Sequence, residues 1–146
     1  MLHTTRVDLA AAVRSAGLRV TAPRVAVLSE VTEGKHVTAE QIAQAVRERD
    51  GTISTQAVYD VLRALTQAGL VRRIEPAGSP ARYETRVADN HHHVVCRSCG
   101  AITDVDCVVG EQPCLSPAQA GGFLIDEAEV TFWGLCPACQ TTSTPA

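Results

Sequence analysis

Residues 54–84 read STQAVYDVLRALTQAGLVRRIEPAGSPARYE, and this stretch decides the fold. Ser54 is a helix-capping residue, and behind it Val58, Val61, Leu62 and Leu65 recur at i, i+3, i+4 and i+7. That spacing lays one apolar stripe along a helix, and Gly69 is its natural stop. After Gly69 the pattern changes to two short extended pieces, 70–74 and 81–84, joined by Pro76-Ala77-Gly78-Ser79-Pro80. A proline- and glycine-rich joint of that length is a hairpin tip. A helix followed by a two-stranded hairpin reads as the second half of a winged helix-turn-helix. A plain helical bundle with a loose tail is the alternative, and the hairpin disfavours it.

The residues upstream supply the other helices. Residues 8–16 form a short apolar-periodic run stopped by Gly17. Thr21-Ala22-Pro23 opens a second helix, with threonine as cap and proline in the first turn, carrying Val25, Val27, Leu28 and Val31 to Gly34. Thr38-Ala39-Glu40-Gln41 is a capping box that starts a third, through Ile42 and Val46 to Asp50-Gly51.

The chain has 146 residues, 45% of them hydrophobic, enough for one ordinary domain or two small ones. Its charge is split: +3 over residues 1–86 and −6 over residues 87–146, which together give the overall −3. A basic half suits nucleic acid, so the two halves are expected to do different work. There is no run of 18 apolar residues and no basic-then-apolar leader, so a cytoplasmic protein without a membrane partner is expected. In that reducing compartment six cysteines argue for metal or redox chemistry over disulfides.

Four of the cysteines pair by spacing, Cys96-x-x-Cys99 and Cys136-x-x-Cys139, as two knuckles that each present two thiolates. Together they suit a tetrahedral structural Zn2+ with no position left for a substrate. Independent redox dithiols and inert buried thiols are the competing readings. Around the knuckles, residues 93–97, 101–106 and 127–132 read as strands, with 111–122 as loop or short helix.

Just before the first knuckle stand His91, His92 and His93. On a strand, His91 and His93 share a face and His92 takes the other. Glu84 closes the wing and Asp104 lies on the next strand, while His36 sits between two helices of the first half. Such nitrogen and oxygen donors favour Fe2+ or Mn2+ over a thiolate zinc site. The bland alternative is a solvated polar strand start, and spacing alone does not fold His36 back to the others.

The combination AGLRVTAPR (residues 16–24), STQAVY (54–59), RYE (82–84), HHHVVCRSCG (91–100) and CPAC (136–139) resembles the ferric uptake regulator (Fur) family over nearly the whole chain. Within the family, Asp89-Asn90-HHHVVCRSCG followed by Asp104-Val105-Asp106-Cys107 resembles most the actinobacterial FurA and CatR branch, related to peroxide-sensing, PerR-like repressors of catalase genes. The resemblance implies an α+β homodimer: an N-terminal winged helix-turn-helix DNA-binding domain (1–86), a linker (87–90), a small C-terminal α/β dimerisation and metal-binding domain (91–140), and a disordered tail (141–146). It puts structural Zn2+ on Cys96, Cys99, Cys136 and Cys139, and a regulatory Fe2+ or Mn2+ on His36, Glu84, His91, His93 and Asp104. A further metal site known in some members is expected to be absent or altered, since Ala128 stands where a histidine is needed, leaving His92 and Glu111 unassigned.

The partner expected is double-stranded operator DNA, with no small-molecule substrate and no enzymatic activity. Helix 54–68 would read the major groove through Gln56 and Tyr59, and Asp60, where the family often carries arginine, would alter the operator preference. Arg19 would enter the minor groove, with Arg24, Arg63 and Arg72 on phosphates. The expected signal is peroxide, read as oxidation of His36 or His91 beside Fe2+. The alternatives are an iron-responsive repressor of uptake genes, a thiol sensor at Cys107 and Cys114, and, more remotely, a zinc enzyme.

Overall fold

The computed structural model describes residues 4–87, 91–106 and 117–142. The chain divides into two compact units, Met1–Val87 and Ala88–Ala146. The first carries four helices, α1 (Arg6–Ser15), α2 (Ala22–Gly34), α3 (Ala39–Asp50) and α4 (Thr55–Gln67), with strands β1 (Val37–Thr38), β2 (Arg72–Ile74) and β3 (Arg82–Glu84). Each helix begins on a side chain that satisfies an otherwise unpaired backbone donor. Thr5, Thr21, Thr38 and Ser54 accept from Asp8, Arg24, Gln41 and Ala57 N–H respectively, and both Thr5 and Thr38 close full capping boxes. α1 thus starts two residues before the expected Asp8, because the Thr5–Asp8 box lies upstream of the apolar run.

α4 ends as the sequence implies. Gly69 takes φ +76°, its N–H reaches Thr66 O and the Leu70 N–H reaches Leu65 O, the paired bonds that close a helix on a left-handed residue. Val58, Leu62 and Leu65 are fully buried and meet Leu9, Val13, Val25, Val27, Val31, Ile42 and Val46 in one core. The hairpin follows with Arg72↔Glu84, Arg73↔Tyr83 and Ile74↔Arg82 paired, and its tip turns where the Ser79 N–H meets Pro76 O with Gly78 at φ +72°. This is a winged helix.

One strand was not expected. β1 pairs with β3 through Val37↔Tyr83 and Thr38↔Arg82, making a sheet of order β1-β3-β2. Two residues carry no periodicity of their own, and Thr38 doubles as the cap of α3, which is the role its sequence advertises.

The second unit is built on β4 (His91–Cys96), with β5 (Ile102–Asp106) antiparallel on one side and β6 (Thr131–Gly134) parallel on the other. Residues 107–116 lie outside the described residues, and with them Cys107, Glu111 and Cys114. Two expectations are corrected here. The last strand runs 131–134, not 127–132, because its register against β4 pairs Cys96 with Gly134 and so brings Cys136 up to the first knuckle. Pro137 opens a short helix, α5 (Pro137–Thr142), which runs two residues into the segment expected to be a disordered tail. Residues 143–146 are outside the described residues.

Candidate metal centres and nucleic-acid interface

The four paired cysteines converge. Their sulfurs all lie within 4.8 Å of one another, and Cys99 Sγ and Cys136 Sγ are 3.7 Å apart. A tetrahedral zinc with Zn–S bonds of about 2.3 Å requires sulfurs about 3.8 Å apart, whereas a disulfide requires about 2.05 Å. The spacing therefore fits a four-thiolate metal site and excludes a Cys99–Cys136 disulfide.

The backbone prepares this cluster. The Gly100 N–H closes the first knuckle on Cys96 O, the Arg97 N–H bonds Gly134 O at 2.8 Å, and the Cys136 N–H points at Cys96 Sγ at 3.3 Å. Backbone donors from Cys99 and Cys136 hold the Cys96 thiol down at about 6, so it is a thiolate at neutral pH. A hydrogen bond from Ser98 lowers Cys139, but the sulfurs of Cys136 and Cys99 beside it outweigh that and push it up to about 12. A metal cation is the species that relieves such crowding of like donors. Arg97 also stacks its guanidinium over Trp133, 5.4 Å from the ring centroid, tying the first knuckle to the strand that leads to the second.

The nitrogen and oxygen donors form two sets, one in each unit. In the first, His36 Nε2 lies 3.0 Å from Glu84 Oε2. The wing sheet explains this: continuing the β1–β3 register one pair beyond Val37↔Tyr83 sets His36 opposite Glu84. Arg82 Nη1 donates to His36 O at 3.3 Å and steadies the approach to β1.

In the second set, Asp104 is directly opposite His93 and diagonal to His91 across the β4–β5 ladder. Asp104 Oδ1 accordingly lies 3.3 Å from His93 Nε2 and 3.6 Å from His91 Nε2, with the two rings edge to face at 5.0 Å. Both histidines are buried. His92 takes the opposite face, as alternation requires, and its Nδ1 accepts from the Val130 N–H at 3.4 Å. That bond ties β4 to the residue preceding β6, a use the sequence does not reveal. Each set turns histidine Nε2 atoms onto one carboxylate. Neither alone offers the five or six donors that Fe2+ or Mn2+ prefers.

On α4, Gln56, Tyr59, Asp60 and Arg63 are exposed while Val58, Leu62 and Leu65 face the core. Gln56 Nε2 donates to Asp60 Oδ1 at 3.0 Å, and Arg63 Nη1 approaches the same oxygen at 3.5 Å. Arg19 is exposed in the α1–α2 connection. Arg24 Nη1 donates to Arg19 O at 2.7 Å, so it also holds the backbone that carries Arg19. Arg72 lies half-buried on β2. Arg47 escaped the sequence reading: its Nε donates to Ile53 O at 2.9 Å and its Nη2 to Thr55 Oγ1 at 3.1 Å, fixing the start of α4. A basic residue in the last turn of α3, just before the α3–α4 loop, was the available signal.

Comparison with known proteins bears on the family and the fold. Residues 15–132 match the model of the ferric uptake regulator family. The chain is similar to the transcriptional regulator FurA of Mycobacterium tuberculosis, 61% identical over 137 residues that cover 94% of this chain and 93% of that protein. It is 62% identical over 126 residues to ferric uptake regulation protein 1 of Mycolicibacterium fortuitum, covering 86% and 78%. Its fold is similar to the Pseudomonas aeruginosa ferric uptake regulator solved with manganese, with a TM-score of 0.66, 26% identity, and coverage of 87% and 96%.

Proposed function

The chain belongs to the ferric uptake regulator family, and from that premise we propose that it is a homodimeric repressor whose grip on operator DNA depends on a bound divalent metal. It is a transcriptional regulator of that family; its relatives are regulators, not enzymes. The observation that carries the metal-dependent reading is the pair of donor sets, His36 with Glu84 on the wing sheet and His91 with His93 and Asp104 on the β4–β5 ladder. Each is incomplete, and their donor chemistry is the same. Joined on one Fe2+ or Mn2+ they supply five ligands, and the winged helix is held against the second unit.

Fixing that geometry sets the separation of two α4 helices in a dimer, which must match adjacent half-sites on one face of the duplex. A metal shifts such an equilibrium only by preferring one arrangement, and all five ligands coexist only in the closed one. Cys96, Cys99, Cys136 and Cys139 hold a permanent Zn2+ that pins the knuckles together in every state. On DNA, Gln56 and Tyr59 meet base edges, Arg63 and Arg72 meet phosphates, and Arg19 reaches the minor groove. Arg24 supports Arg19 and lies close enough to the same strand to share its phosphates.

The signal in this reading is peroxide. A ferrous ion held by these five residues would supply activation of the peroxide O–O bond beside the imidazoles. His36 or His91, whose Nε2 atoms face Glu84 and Asp104, would take one oxygen atom of the peroxide while the other leaves as water; the oxidised ring would hold metal poorly, and the repressor would leave catalase-type genes. The names of the relatives favour a second reading, in which loss of iron itself empties the site and releases uptake genes. An operator-shift titration with Mn2+ and with Fe2+, each with and without peroxide, tests both. Metal-independent binding would overturn the metal-dependent reading. Mass spectrometry that finds no oxygen added to the His36 or His91 peptides after Fe2+ and peroxide would overturn the peroxide reading and leave the iron reading standing.

A further inference from the structure

α4 carries an anion in the middle of the face that the proposed function turns toward DNA. The buried residues Val58, Leu62 and Leu65 define the side of the helix against the core. With about 3.6 residues per turn, Gln56, Asp60 and Arg63 fall on the opposite side, and Asp60 lies between the other two. It does not stand apart from them. Asp60 Oδ1 receives the Gln56 amide at 3.0 Å and is approached by the Arg63 guanidinium at 3.5 Å, so three side chains over two turns form one hydrogen-bonded row. Its other oxygen, Oδ2, accepts no hydrogen bond from the described residues.

A carboxylate on that face weakens attraction to phosphates for every DNA sequence, because binding to the backbone is driven by cations. What it contributes is therefore sought in discrimination. A carboxylate only accepts hydrogen bonds. In the major groove, cytosine N4 and adenine N6 offer amino donors, whereas guanine shows only N7 and O6 acceptors and thymine shows O4 and a methyl group. An aspartate aimed at a base edge thus welcomes an amino group and repels guanine. The Gln56 amide has two N–H bonds. One is donated to Asp60, which leaves the second N–H and Oε1 to meet a base.

We propose that Asp60 is a specificity-determining residue of this regulator, selecting one base with an exocyclic amino group in each half-site and orienting Gln56 for the base beside it. This rests on the reading that α4 enters the major groove. Gln56 and Arg63 are the polar groups the structure records on Asp60, and neither replaces the rejection of guanine. Arg63 would favour guanine once freed.

The test uses the full-length protein loaded with Mn2+. Wild type first selects its preferred duplex from a random library. Binding is then measured on that duplex and on all its single-base-pair variants for wild type, Asp60→Asn, Asp60→Ala, Asp60→Glu and Gln56→Ala, with helical content followed by circular dichroism. The expected result for wild type is one position per half-site where guanine lowers affinity about tenfold or more. Asp60→Asn, which keeps an acceptor for Gln56 but adds a donor, loses that rejection while its helical content is unchanged. Asp60→Ala loses it and also blurs the adjacent position, as Gln56→Ala does. Asp60→Glu retains the amino-group preference. Wild-type preferences at every position in both Asp60→Asn and Asp60→Ala would overturn the proposal while leaving α4 as the reading helix. If wild type enriches no sequence, the premise itself is wrong and the proposal goes with it.

Discussion

Leu62→Ala separates the two units. Leu62 is fully buried in the middle of α4, at the centre of the core formed by α1, α2, α3 and α4. Truncating such a leucine removes its transfer free energy and leaves a cavity, together about 3 kcal/mol within a range of roughly 2–5. A unit of 87 residues is stable by about 4–13 kcal/mol, so the change removes roughly a quarter to three-quarters of the total. With a urea dependence of about 1.5 kcal/mol/M, the midpoint of the first unit should fall by about 2 M. The second unit contains Trp133, the single tryptophan of the chain, while the helices of the first dominate the far-ultraviolet signal. Urea titrations of zinc-loaded protein without added Mn2+, read by circular dichroism and by Trp133 fluorescence, therefore report the units separately. The circular dichroism midpoint should drop and the fluorescence midpoint should stay within about 0.3 M of wild type. Equal shifts of both midpoints would refute the independence of the two units.

Cys136→Ser should abolish zinc retention and bring the fluorescence transition of Trp133 to the lowest urea concentrations, since binding energy here is folding energy; metal analysis of the purified variant checks it. His36→Ala and Asp104→Ala should each weaken Mn2+-dependent operator binding about tenfold or more and leave bound zinc unchanged, measured by shift assay and zinc content together. Asp8→Ala should destabilise α1 at neutral pH. The Thr5 hydroxyl and backbone hold the Asp8 carboxyl below its ordinary 3.8, so the wild-type advantage is full above that value and disappears as pH falls through the lower folded-state value. Thermal melts of both proteins from pH 7 to pH 3 show whether it does.

The first unit was legible because its signals are local. Ser54, Thr38 and Thr21 announce where helices begin, Gly17 and Gly69 announce where two of them end, and the Pro76–Pro80 tip announces the wing. β1 was not legible, since a two-residue strand exists only through its partner β3. The same difference runs through the second unit. The two Cys-x-x-Cys pairs could be read at sight, but the position of β6 depends on the pairing that brings Cys136 to Cys96, and no local pattern encodes it. Alternation placed His91 and His93 on one face correctly. That His92 accepts from Val130 follows from a contact 38 residues away, which a single sequence does not expose.

Glu84 follows Tyr83, a core residue, on a strand whose side chains alternate between faces. The wing tip at residues 76–80 can therefore gain or lose residues in pairs without changing what β3 presents. A single insertion within β3 would exchange the two roles, turning the carboxylate into the core and the phenol toward His36. Natural variation in loop length should be found at the tip and be absent from the three residues Arg82–Glu84, so the wing behaves as an adjustable finger on a gauge whose zero cannot move.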